Sequence, residues 1–391
     1  MANVPAHLRD EYARDFRTAR QEIESGVVDA TTKERRKYWN HCTEYTRPMG
    51  VDPTLHKSTT SYETKVEVLT AFASRVRRGT FGFKRTVGVQ TVQVAIRSIG
   101  KTVSMAHGYN PVYRSDQKYL EPIEMQLEGF RRIDPLPSPE LAVPVEVAWW
   151  LSDFGTCDAA SEKNKAAGDL GNIAFYFLLR VGEYSVSTKK RKRTVQFRLK
   201  DVSFMKNNLI LDPKSPLEVL LTADAATLLL SNQKNGVRGA LIHHHALSTR
   251  KQCPVRALAR RVAHLHKHAA DPDELLCAYF DHLGKSHVTN NDMLKLVRAA
   301  GVALQLEKKG FPSERLGTHS LRAGGAMAMA VNGETDRNIK KMGRWSTDTF
   351  LMYIHEQISH LTKGISDKMS QPFPFFNVDG GTSKITRAMG L

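Results

Sequence analysis

Cysteine is scarce in this chain. Four occur in 391 residues, Cys42, Cys157, Cys253 and Cys277, and no two form a CxxC pair. That spacing argues against a disulfide framework and against a cysteine-based zinc site. Long apolar runs are also missing. No stretch approaches the ~18–20 residues needed to span a bilayer. The opening MANVPAHLRDEYARDF is charged and lacks the apolar core of a secretory leader, so the expectation is an intracellular protein with no membrane partner. No self-similarity at a solenoid period is present. Negative charge is in short supply too: 40 Asp and Glu stand against 57 Lys and Arg, for a net +17.

What is present has the balance of a folded protein, with 41% hydrophobic and 25% charged residues. The length allows two or three domains with cores of their own. The excess positive charge calls for a polyanionic partner. Nucleic acid is the first candidate, because neutralising phosphates releases counterions and drives binding.

Residues 1–132 read as a helical domain. Helical spacing runs through Pro5–Glu24, Thr32–Thr46, Glu63–Arg78, Thr91–Met105 and Gln117–Arg132, and strand signals are nearly absent. Basic residues decorate this half. Arg77, Arg78, Lys84, Arg85, Arg97 and Lys101 are the candidate phosphate contacts, several within SRVRRGTFGFKRT. Residues 133–144 hold four prolines, which favour extended chain, and read as a linker. A second domain is expected over 145–356, with a tail over 357–391. Its helices are interrupted by a β-like stretch from Thr194 to about Pro254, including TVQFRLKDVSF and LEVLLT. Asn235-Gly236 is its clearest hairpin signal. Helices are expected again from Pro254 to about Glu356.

The segment Gly317–Glu356 carries the densest set of reactive residue types. His319 and Arg322 are three apart and share one helical face. Gly343 precedes Trp345, and Tyr353 follows 31 residues after Arg322 and eight after the indole. An isolated HxxR pair arises easily by chance; the pair with the indole and the phenol at this spacing is much more specific. The residue types suit phosphoryl transfer. A phenol can attack phosphorus and retain the ester energy in a phosphotyrosyl bond. Guanidiniums bind non-bridging oxygens and stabilise transition-state charge. A lysine can protonate the departing 5′ oxygen, a histidine can take the phenol proton, and an indole N–H can donate one more hydrogen bond. No step needs a metal or cofactor. The triplet His243, His244 and His245 does not change that expectation, since neighbours on a strand alternate faces. The run KKRKR at Lys189–Arg193 is open between a nuclear-localisation signal, a phosphate patch and a solvated loop.

This constellation resembles the tyrosine recombinase (phage integrase) family. FLLRVGEYS is similar to its first arginine box, with Arg180 followed by the acid Glu183, whose part is to orient the arginine. RLKDVSF is similar to the strand entry that follows, and SNQKNGVRGA to its β-hairpin lysine, which makes Lys234 the candidate general acid. The gap from Arg180 to Lys234 is 54 residues, longer than in compact members, and leaves Lys206 and Lys214 as rivals. Trp345 stands where many members have His. The form GRWSTDTFLMYI looks most like the eukaryotic mobile-element branch, such as Crypton-type recombinases.

The resemblance implies a mainly α fold with a small antiparallel β-sheet: a helical core-binding domain plus a catalytic domain, closing on duplex DNA as a clamp. It implies a site-specific recombinase or integrase that cuts and rejoins DNA through a 3′-phosphotyrosyl intermediate at Tyr353, assisted by Arg180, Lys234, His319, Arg322 and Trp345. A homotetramer on two DNA sites, and a nuclear location in a eukaryotic host, come with it. Two other readings stay open: a domesticated DNA-binding protein that keeps the fold, and a type IB topoisomerase-like enzyme acting as a monomer.

Overall fold

The computed structural model describes residues 5–26, 29–81, 85–135, 140–187, 195–230, 239–247, 252–351 and 369–370. The chain divides into two compact units, Met1–Pro137 and Ser138–Leu391.

The first unit is built from α1 (Arg9–Ser25), α2 (Asp29–Thr46), α3 (Tyr62–Arg77), α4 (Val89–His107) and α5 (Glu121–Ile133). Ser61 starts α3 by accepting the Thr64 N–H at 3.1 Å, which satisfies one of the amides a helix start leaves free. In α4 the stripe Val92, Ala95, Ile96, Ile99 and Val103 is fully buried. It meets Phe72 and Val76 of α3, Cys42 of α2, and Ile123 and Leu127 of α5 in one core. Burying each large aliphatic here contributes roughly 1.5–3 kcal/mol. Helix α5 begins four residues later than the spacing of Gln117–Arg132 predicts. Gln117 lies at φ +64°, Tyr113 bridges to Tyr119, and Pro122 sits in the first turn, where its missing N–H costs nothing.

The second unit opens with α6 (Val145–Thr156) and α7 (Glu162–Tyr176). Their backbones cross closely at Gly168, where a Cβ would come within 2.7 Å of Gly155 Cα. A turn of helix, α8 (Val181–Tyr184), follows. Then come β1 (Val202–Lys206), β2 (Leu209–Leu211), the short α9 (Leu217–Leu220), β3 (Ala225–Leu230) and β4 (Ala240–His245). The four strands form one antiparallel sheet in the order β2-β1-β3-β4. The register of β3 and β4 runs from Ala225 opposite His245 to Leu230 opposite Ala240. The connecting Asn235-Gly236 lies outside the described residues, as does KKRKR.

Helix α10 (Pro254–Lys267), the ribbon β5 (Ala278–Asp281) with β6 (Gly284–His287), α11 (Asn290–Ala303), α12 (Ser320–Val331) and α13 (Asp336–Gly343) complete the unit. The main core joins α6, α7, α10 and α11 to the inner face of the sheet. The architecture is therefore mainly α with a small antiparallel sheet. Two local expectations differ. LEVLLT alternates like a strand but forms the turn α9, started by Pro216. The ribbon β5–β6 interrupts the helical stretch after Pro254; its strands have four residues each, too few to give a visible period.

The histidine triplet follows the strand alternation. Ile242 is buried, His243 and His245 are exposed, and His244 packs against Phe177 and Tyr176. Burial pushes the His244 pKa down to about 4.

The proline-rich stretch is only partly a connection. The boundary between the units falls after Pro137. Leu141, Ala142 and Val143 are buried in the second unit. The Leu141 N–H donates to the Arg315 carbonyl at 2.9 Å, and the Val143 N–H to the Ser320 carbonyl at 3.2 Å.

Candidate active site

Helix α7 stops because Leu178 takes a left-handed conformation at φ +49°, unfavourable for a residue with a Cβ. Phe177, Leu178 and Leu179 are nevertheless all buried, so packing holds the strained turn in place. Its product is a reversal that aims the Leu178 carbonyl at two guanidiniums. Arg322 Nη1 donates to it at 2.6 Å and Arg344 Nη2 at 2.8 Å.

Two residues on, Arg180 starts α8. Its backbone N–H donates to Glu183 Oε2 at 2.8 Å, and its Nη1 to Glu183 Oε1 at 3.0 Å. Glu183 is 1% exposed, so both its oxygens need donors. The second donor to Oε2 is Arg344 Nη2, at 3.0 Å. A continuous path of hydrogen bonds thus runs from Arg322 through the Leu178 carbonyl to Arg344, then through Glu183 to Arg180. Residues 142 apart in sequence, Arg180 and Arg322, belong to one network.

Arg322 comes from α12, which lies hard against the end of α7. A Cβ on Gly325 would collide with the Phe175 carbonyl oxygen. Besides Leu178, Arg322 donates from Nη2 to the Gly343 carbonyl, and its guanidinium lies over the Trp345 ring, 4.2 Å from the centroid. That stacking is a cation–π contact. The indole also packs on Phe350, with centroids 5.6 Å apart. His319 sits at the start of α12, three residues before Arg322, and is exposed. Its backbone N–H donates to Glu140 Oε2 at 2.7 Å, so a carboxylate occupies the positive end of the helix.

Phe350 is fully buried with Leu178, Ala326 and Ile339. This small cluster fixes the chain up to Leu351. Tyr353 lies outside the described residues, and so does Lys234. Of the rival lysines, Lys206 ends β1 and donates to Thr222 Oγ1 at 3.0 Å. Lys214 lines a groove of about 450 Å³ with Arg260, His266 and Lys267.

Two residues of this arrangement are absent from the sequence reading. Arg344, in KKMGRW, looks like one more solvated basic residue, and only its place between Gly343 and Trp345 hinted otherwise. Glu140 hides among four prolines.

The basic residues of the first unit fall into two groups. Arg78, Arg85, Arg97 and Lys101 are exposed, with Arg97 Nε donating to Tyr119 Oη at 2.8 Å. Arg77 is turned inward, with its side chain 11% exposed. It pairs with Asp134, donates to the Val87 carbonyl at 2.6 Å and lies over the Phe130 ring. Its charge is already matched within the unit. Lys84 lies outside the described residues.

No family model matches the chain, and no curated protein matches it. Among solved structures it is similar to the Tn1549 transposon integrase (residues 82–397) in complex with circular intermediate DNA. Identity is 14% and the TM-score 0.46, over 90% of this chain and 98% of that one. The XerH site-specific recombinase bound to palindromic difH substrate gives 13% and 0.46, over 80% and 74% of the two chains. The XerA recombinase gives 13% and 0.34, over 90% and 96%. At such identities the chemistry has to be read from the side chains. No helix among the described residues is long and apolar enough to cross a membrane.

Proposed function

We propose that this chain is a tyrosine-type site-specific DNA recombinase or integrase. The observation that carries the reading is the guanidinium network of Arg180, Arg344 and Arg322, with His319 one helical turn from Arg322. Such a cluster suits one phosphate with charge developing on its oxygens.

In this reading Tyr353 Oη attacks the scissile phosphorus. The P–O5′ bond breaks, a 3′-phosphotyrosyl bond forms, and the 5′ oxygen leaves with a proton. His319 accepts the phenol proton or bonds a phosphate oxygen, since exposure at the helix start leaves its ring free to meet substrate. Arg180 and Arg322 hold the non-bridging oxygens. Glu183 orients Arg180 through two hydrogen bonds to the same residue. Trp345 buttresses Arg322 through its ring. Lys234 protonates the 5′ oxygen, with Lys206 and Lys214 as the alternatives that substitution separates. Attack by the freed 5′ hydroxyl of a second strand reverses the step and joins the duplexes.

The first unit is the core-binding domain of this reading, with Arg78, Arg85, Arg97 and Lys101 reaching DNA phosphates. The assembly is a homotetramer on two duplex sites. The GRW form of the last motif is the ground for the Crypton-type branch in this reading, with a nuclear location if the host is eukaryotic.

The deciding experiment uses a nicked suicide duplex and looks for a covalent protein–DNA band. Wild type should form it, and Tyr353→Phe should abolish it while DNA binding persists, because only the nucleophilic oxygen is lost. An adduct that survives Tyr353→Phe rules out the nucleophile. Binding without any adduct in wild type marks a DNA-binding protein that keeps the fold, and relaxation of supercoils without joined duplexes marks a topoisomerase.

A further inference from the structure

The Arg344 side chain is 7% exposed, and its guanidinium is anchored through one nitrogen only. Nη2 serves both the Leu178 carbonyl and Glu183. The nitrogens that flank it, Nε and Nη1, are buried and have no hydrogen-bond partner. Buried guanidinium donors are ordinarily satisfied, because water is no longer there to serve them. The surrounding charge is unbalanced as well: Arg180 and Arg344 share the one carboxylate of Glu183. Desolvation lowers the Arg344 pKa, Glu183 opposes that, and the like charge of Arg180 adds to it. The backbone at Arg344 is left-handed, φ +57°, as the C-cap of α13. That conformation turns the side chain back into the network instead of leaving it in solvent.

We infer that Arg344 is a third phosphate-binding guanidinium, one of whose free donors, Nε or Nη1, takes a non-bridging oxygen of the scissile phosphate once DNA is seated. The inference rests on the strand-transfer reading and adds to it a residue that the sequence motifs did not single out. A phosphate supplies what the site lacks: negative charge beside two cations sharing one carboxylate, and an acceptor oxygen for an unfilled donor. A bound water would fill a donor but leave the charge unbalanced. A further carboxylate would do both, but among the described residues Glu183 is the acid paired with this cluster.

The test uses the full chain and the variants Arg344→Lys and Arg344→Ala. Lysine keeps the charge and can still reach one acceptor, so it retains the Glu183 pair while losing the planar set of donors. It also guards against Arg344→Ala simply failing to fold. Each protein is given a suicide duplex with a normal scissile phosphate and one with a methylphosphonate there, which removes the charged oxygen. Arg344→Lys should form adduct about 100-fold more slowly on the phosphodiester and within about 3-fold of wild type on the methylphosphonate. Equal slowing on both substrates would mean that Arg344 only braces Glu183, and overturns the inference. A second arm needs no chemistry at Tyr353. Orthovanadate binding, read by vanadium NMR line broadening, should weaken about 10-fold in Arg344→Lys. Unchanged vanadate binding overturns the inference too. If wild type forms no adduct with any DNA, the strand-transfer reading fails, and the vanadate arm alone decides Arg344.

Discussion

Arg261 and Arg344 are both buried guanidiniums of the second unit, and they differ in what their nitrogens hold. Arg261, 2% exposed in α10, donates from Nε to the Leu276 carbonyl at 3.3 Å and from Nη2 to the Ala278 carbonyl. It ties the helix to the ribbon β5–β6. Its neighbour Arg260 takes the charge of the buried Asp169 through two hydrogen bonds to Oδ1. Among the described residues, the buried side-chain donors left without a partner include two of Arg344 and none of Arg261. The same residue type thus serves as a brace in one place and as an unfilled socket in another. The difference lies in the unmet donors, two on Arg344 and none on Arg261.

The comparison can be broken by substitution. Arg322 has both Nη nitrogens on backbone carbonyls, as a brace does, yet it belongs to the proposed phosphate site. Arg322→Ala should therefore lower adduct formation about a thousand-fold, with DNA binding in a gel-shift assay retained. A variant that cleaves at the wild-type rate would leave Arg322 a brace and nothing more. Arg261→Ala belongs to the brace. It should destabilise the folded chain by about 3–5 kcal/mol in urea denaturation, leaving the folded fraction fully competent for cleavage. Unaltered stability, or a loss of activity without one, would erase the distinction.

A smaller effect comes from the buried imidazole of His244. Its pKa is depressed by burial to about 4, against 6.5 for the free side chain. The unfolded chain therefore takes up a proton first as pH falls. The stability contributed by neutral His244 is fully present above about 6.5 and is lost as pH drops toward 4. The loss should be roughly 1–3 kcal/mol. Denaturation at pH 7 and pH 4.5 should show it, and His244→Phe should shrink it. An unchanged pH difference in that variant would assign the acid sensitivity to other groups.

Part of the guanidinium network was readable from spacing. His319 and Arg322 lie one helical turn apart, so local periodicity places them together, and Trp345 follows closely enough to belong to one continuous segment. Arg180 and Glu183 were readable as a pair for the same reason. Arg344 was not, because nothing local separates a solvated arginine from a buried one; its environment is made by Leu178 and Glu183, about 160 residues away. Glu140 was lost to the prolines around it, which signal extended chain but say nothing of what that chain pairs with. In the fold, the long amphipathic helices of the first unit stood out, whereas four-residue elements such as α9 and β5 are too short to show a period.

Leu178 has a consequence for timing. Its carbonyl holds Arg322 and Arg344, and its side chain packs with Ile339 and Phe350, three residues before Tyr353 in sequence. One peptide thereby couples the order of the guanidiniums to the seating of Phe350. Loosening either end slackens the other, so a chain whose Phe350 has left its cluster also loses the grip on its arginines. In the proposed strand transfer, readiness to cut then arrives as one cooperative event and not as two independent ones. Hydrogen exchange should show the amides around Leu178 and those of Ile339–Phe350 opening together, and Phe350→Ala should accelerate both sets by a similar factor.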